Sequence, residues 1–236
     1  MVLIAALPAS LAGRLLPPAV RAADFSGSFW HGAAGTLSIN GIQCGAAEWE
    51  LHPAELLRLH LGVDLRWVKG DFALASSAHL GPHGIEADSI TGGGALDDIA
   101  ALTGLAGWHG TSAVAIGHLS AAFNQLNALQ GDIHVTDLHV ANFGEDTNLG
   151  AYSLHFDGPA ADAPGAIEGQ IQDATGPLEV HAVLTLTPHN HVGNLRGTAR
   201  ERSSAPPALR QALENLAQLR PRDAQGRIPL EVEFSF

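Results

Sequence analysis

What most constrains this chain is a period-two alternation of apolar and polar residues, interrupted repeatedly by Gly, Pro, Asn and Asp. Successive side chains of a strand point to opposite faces, so such a run buries one face and wets the other. The clearest example is Leu178, Val180, Ala182, Leu184 and Leu186, which ends at Thr187-Pro188. A following segment, 191–200, is placed to pair back across that turn. Leu59, Leu61, Val63, Leu65 and Trp67 keep the same period, as do Phe72, Leu74, Ala78 and Leu80 after the Lys69-Gly70-Asp71 turn. Asn40-Gly41 joins an alternating run from Gly35 to a return strand from Ile42 to Leu51, because Asn-Gly fits the left-handed dihedrals of a two-residue hairpin. In that return strand Ala47, Trp49 and Leu51 form the core side.

Further strands are expected at 84–90, 111–119, 129–140 with an irregularity near Asp137, 152–156, 167–171 and 228–236. Helical spacing is confined to three places. Pro53 to Arg58 makes one or two turns, Leu96 to Leu102 a short helix, and Ser204 to Leu219 the best helix, with Ser204 as its cap. Gly92-Gly93-Gly94 reads as a loop. The fold class is therefore mainly β: a curved antiparallel sheet or an open half-barrel or groove, with a C-terminal helix before the last strand. The two halves, 24–110 and 111–236, follow a similar order of elements, so a repeat is expected.

Composition narrows the function. There are 24 acidic and 12 basic residues, a formal charge of −12, and Lys69 is the single lysine. Nucleic acid and anionic lipid headgroups both call for clustered cations, so neither is an expected partner. One cysteine, Cys44, rules out an internal disulfide and a cysteine-built zinc site. Residues 1–18 form an apolar stretch broken by Pro8 and Arg14 and closed by Pro17-Pro18, shorter than a spanning helix needs. It reads as the second half of a membrane anchor or as a short buried helix, and residues 1–23 are set apart from a β domain at 24–236.

The ordered phrases Leu7-Pro-Ala-Ser-Leu11, Phe25-Ser-Gly-Ser-Phe-Trp30-His-Gly32, Gly45-Ala-Ala-Glu-Trp49-Glu-Leu51-His-Pro53, Leu149-Gly150-Ala-Tyr152-Ser-Leu154, Gly176-Pro177-Leu178-Glu-Val180 and Asp223-Ala-Gln-Gly226-Arg227 resemble the type II secretion system protein N family. The resemblance implies an accessory, non-enzymatic component of the complex that exports folded proteins from the periplasm. It implies an inner-membrane protein held by one N-terminal helix, its main domain periplasmic, with the inner-membrane protein C and the outer-membrane secretin as partners. The chain is also similar to AsmA-like proteins, which gives the alternative of a lipid-binding or lipid-scaffolding β groove.

No residue pattern here calls for catalysis, a cofactor or a metal. The 13 histidines include the near pairs His79 with His83, His134 with His139 and His189 with His191, but none has the spacing of a known ligand motif. They read as solvated strand-face and turn residues. Cys44 has no positioned base, and Asp97-Asp98 open a helix, where acids favour the N-terminal dipole. The residues singled out for interaction are aromatic: Trp30, Trp49, Trp67 and Trp108. Each is large enough to dominate a local core or to line an apolar groove.

Overall fold

The computed structural model describes residues 7–14, 16–54, 60–82, 84–122, 125–141, 147–159, 165–190 and 192–235. Among these, thirteen strands form a single antiparallel sheet in which each strand pairs with its neighbours in sequence. They are β1 (Val20–Gly27), β2 (His31–Ile39), β3 (Ile42–His52), β4 (Leu61–Lys69), β5 (Phe72–Gly81), β6 (Gly84–Ala95), β7 (Trp108–Ala122), β8 (Gln125–Val140), β9 (Ala151–Pro159), β10 (Ile167–Thr175), β11 (Leu178–Thr187), β12 (Val192–Glu201) and β13 (Ile228–Ser235). β1 and β13 are the two edges, and the sheet does not close into a barrel. The expectation of an open antiparallel β fold holds.

The register explains how one sequence period builds so wide a sheet. Trp49 sits opposite Gly32 and Leu65, and Leu65 opposite Ser76. That row continues through Ile90, Ile116, Gly131 and Phe156. It ends through Gly169, Leu184, Leu195 and Val232 at the far edge. Cross-strand partners share a face, so one apolar face runs through all thirteen strands. One residue along, the opposite face carries Glu48 beside Arg66, Asp132 beside His155, and Arg196 beside Glu231.

Two α-helices cover part of the apolar face. α1 (Leu96–Thr103) follows β6 and α2 (Pro207–Leu219) follows β12, so both leave the same end of the sheet. Leu209 and Leu213 of α2 pack with Leu96, Leu138, Val140, Leu149 and Ile228 in the main core. Pro188–Asn190 reaches back to β8, three strands away, which requires the sheet to curl there; Phe156 of β9 and Ile167 of β10, the strands between, are buried. At the helix-bearing end the β10–β11 turn is tied by the nearly buried Asp173, which accepts from Arg202 and from the Val180 N–H.

Three local expectations are corrected. Gly92-Gly93-Gly94 lies inside β6, extended at φ near +148°, not in a loop. A Cβ on Gly92 would stand 2.0 Å from the Ala73 carbonyl oxygen and one on Gly93 2.1 Å from that of Ser112, so the neighbouring backbones close in where side chains are missing. Ser204 does not cap α2: the cap position is Pro206, which has no side-chain bond to offer, and Pro207 starts the helix with its fixed φ. Cys44 is buried together with Ala47, although three positions separate them, because pairing with β2 slips around Gly45 (φ 91°). Of the helix expected at 53–58, residues 55–58 lie outside the described residues, as do His83, His191 and residues 1–6.

Candidate functional site

The features that could carry function are surfaces: two sheet edges, aromatic corners and a polar face. Trp30 and Trp49 share the corner around Phe25 and Phe29. Trp30 meets Phe29 edge-on at 5.3 Å, and Trp49 meets Phe25 edge-on at 6.4 Å while its indole N–H donates to the Phe29 carbonyl at 2.9 Å. Trp67 lies toward the other end of the sheet, 5.6 Å from Phe72, donating its indole N–H to the Cys44 carbonyl at 2.6 Å. Trp108 opens β7 opposite Val140 and is 39% exposed. The four residues therefore occupy three separate places on the sheet. An indole shielded from water needs a partner for its N–H, and the half-buried Trp49 and Trp67 find one in a main-chain carbonyl.

The histidines sort onto the polar face, where sequence alone did not pair them. His31 lies 2.9 Å from Glu50, His52 2.8 Å from Asp64, and His79 3.4 Å from Asp88. His155 bridges Asp132 at 2.7 Å and Asp157 at 2.8 Å. Hydrogen bonds that its ring donates to Asp132 and then Asp157 raise the His155 pKa above its ordinary value. Bonds from Ser77 and then His52 hold the Asp64 carboxyl below the usual range. His134 and His139 fall on the same face, because the left-handed Asp137 (φ 50°) inserts an irregularity between them. Apart from His155 with Asp157, these pairs join neighbouring strands across positions 9 to 23 residues apart, and only the register reveals them. Among the described residues no group of three or more His, Cys, Asp or Glu side chains converges to hold a metal ion. Where β1–β6 present this face, it forms a broad open depression of about 740 Å³, bordered by His31, Glu50, Asp64, Arg66, Ser77 and Thr91.

Residues 18–231 match the model of one family, the type II secretion system protein N. The chain belongs to the type II secretion system protein N family. The match begins just before β1 and ends inside β13, so it reaches every strand of the sheet. No curated protein and no solved structure matches the chain, and nothing in these comparisons supports a likeness to AsmA-like proteins. As a protein N it is a component of a secretion system, and the family is not one of known enzymes. Such a component works in the cell envelope, and its family makes other type II secretion proteins its partners. No described helix is long and apolar enough to cross a membrane.

Proposed function

We propose that this protein N is an accessory, non-enzymatic subunit that supports assembly or stability of the envelope-spanning complex exporting folded proteins from the periplasm. The observation that carries the reading is an unclosed sheet with a continuous apolar face and two terminal strands whose outward main-chain groups are not paired within the sheet. Surfaces of this kind serve assembly, since a partner strand gains main-chain hydrogen bonds at an edge and side-chain selectivity on the two faces. In this reading the domain at 24–236 is periplasmic and is held at the inner membrane through the N-terminal segment. Its partners are the inner-membrane protein C and the outer-membrane secretin. Trp30, Trp49, Trp67 and Trp108 then supply apolar contact area, Trp108 most directly because it is the most exposed of the four. Crosslinking in intact cells at native expression is expected to capture protein C or the secretin on this chain. Capture of neither, in cells whose secretion complex is assembled, overturns the reading.

A second reading is a lipid-binding or lipid-scaffolding groove. It is favoured by Leu65, Leu80 and Ile85, apolar side chains of the sheet that remain exposed. Native mass spectrometry of the protein extracted without detergent exchange decides it: bound lipid supports the groove, and a bare chain excludes it.

A further inference from the structure

The two edges of the sheet are not equivalent, and the difference selects a partner. β1 is interrupted by Asp24 in the left-handed region (φ 57°), and the Val20 N–H is already spent on the Pro17 carbonyl at 2.9 Å. Its far end is occupied by the preceding chain, where Phe29 N–H donates to Leu7 and Pro8 bridges Ser28. β13 has none of these devices. It pairs with β12 from Ile228 to Ser235 without a register shift.

The phase of the ladder identifies which groups β13 offers outward. Arg202 N–H donates to the Pro177 carbonyl at 2.8 Å, extending the β11–β12 ladder, which has no register shift. Even-numbered residues of β12 therefore bond to β11, and Gly193, Leu195, Gly197 and Ala199 bond to β13. Their partners on β13 are Phe234, Val232, Leu230 and Ile228. The alternate residues, Pro229, Glu231, Glu233 and Ser235, point their main-chain groups away from the sheet. Pro229, which has no N–H to donate, is in the phase where no ladder bond is lost.

The side chains along this edge carry opposite characters on the two faces. Val232 is 50% and Phe234 41% exposed on the apolar face, while Glu231 and Glu233 stand on the other. Glu231 is shared between Arg196 at 3.4 Å and Arg220 at 3.8 Å, whereas Glu233 has no ion-pair partner among the described residues. An added strand bonded to the outward groups sets its own residues directly opposite these glutamates. A second copy of this chain is a poor occupant. Antiparallel pairing of β13 with itself about Glu231–Glu233 places glutamate opposite glutamate in each register, and like charges so placed repel.

Resting on the assembly role proposed above, we infer that β13 is the docking edge, and that it takes an extended segment of a partner protein in which apolar residues alternate with Lys or Arg. The test uses the intact chain and two synthetic peptides, one alternating valine with lysine and one alternating valine with glutamate, read by amide hydrogen exchange. At a lysine-peptide concentration ten times its dissociation constant, exchange at Glu231, Glu233 and Ser235 is expected to slow by about tenfold, since the bound fraction sets the protection. β1 amides stay unchanged, and the glutamate peptide protects nothing. E233K, a change at an exposed position, is expected to reverse the preference between the peptides. Equal protection by both peptides, protection at β1 instead, or protection of β13 without peptide through self-association overturns the inference. The cellular crosslinking result is independent of this one, so failure of the edge leaves the assembly role standing, and failure of the assembly role leaves the peptide result to be read by itself.

Discussion

Tyr152 is the single tyrosine of the chain, and its position makes it a reporter of the core. Its hydroxyl donates to the Leu149 carbonyl at 3.0 Å, and the ring packs against the cluster built on Leu209. Burial, with the Asp173 carboxylate nearby, pushes its pKa up to about 12. The folded chain therefore holds this proton more tightly than the unfolded one, so its contribution to stability is complete below about pH 10 and is lost as pH climbs through about 12. Absorbance at 295 nm reads this one group. The expected midpoint is near 12; a midpoint near 10 places the phenol in solvent. His155 has the same sign at milder pH. Its stabilisation by Asp132 and Asp157 is present below its unfolded value of 6.5 and fades as pH rises through the higher folded value. An imidazole titration followed by NMR is expected to give His155 the higher midpoint when compared with the chain carrying D132N, and identical midpoints contradict the pairing.

At the scale of elements, the three glycines of β6 are the sharpest test of the sheet. Gly93→Ala forces a Cβ to within 2.1 Å of the Ser112 oxygen, at a φ of 149° that alanine resists. The expected loss is about 3 kcal/mol, by overpacking and strain together. Gly104→Ala at the end of α1 has a left-handed φ of 73° but open space around it, and is expected to cost about 1 kcal/mol. Denaturant melts of the two variants compare them directly, and equal losses contradict a packed β6. The same glycines show what is legible in a sequence of this kind. Asn40-Gly41 announced its hairpin because a two-residue turn is a local property, and both residues do have positive φ. The runs at Leu178–Leu186 and Leu61–Trp67 announced their strands because an apolar face needs no knowledge of the neighbour. Gly92–Gly94 carried no such pattern, since its fitness lies in the approach of β5 and β7. β1, with Arg21, Asp24 and Ser26, lacked alternation because an edge strand buries little. The His155–Asp132 pair spans 23 positions and follows only from a register that the sequence does not encode locally.

For the whole molecule, the decisive property is an amphipathic sheet that never closes. A compact monomer of 24.5 kDa exposes about 10,000 Å², by the scaling of surface with mass. This chain exposes 13718 Å², the surplus expected of one layer covered in part by two short helices. Each strand pairs with its neighbours in sequence, so the fold is assembled from local hairpins, and among the described residues the first strand does not close on the last. In the assembly role proposed above, a sheet built this way is a stack of surfaces with two ends that holds other proteins in register. Depletion of the chain from cells that secrete through this system, followed by purification of the complex, tests that role most directly. Loss of the complex joining protein C to the secretin, restored by re-expressing the chain, is the predicted result, and an intact complex at undiminished level without the chain contradicts the account.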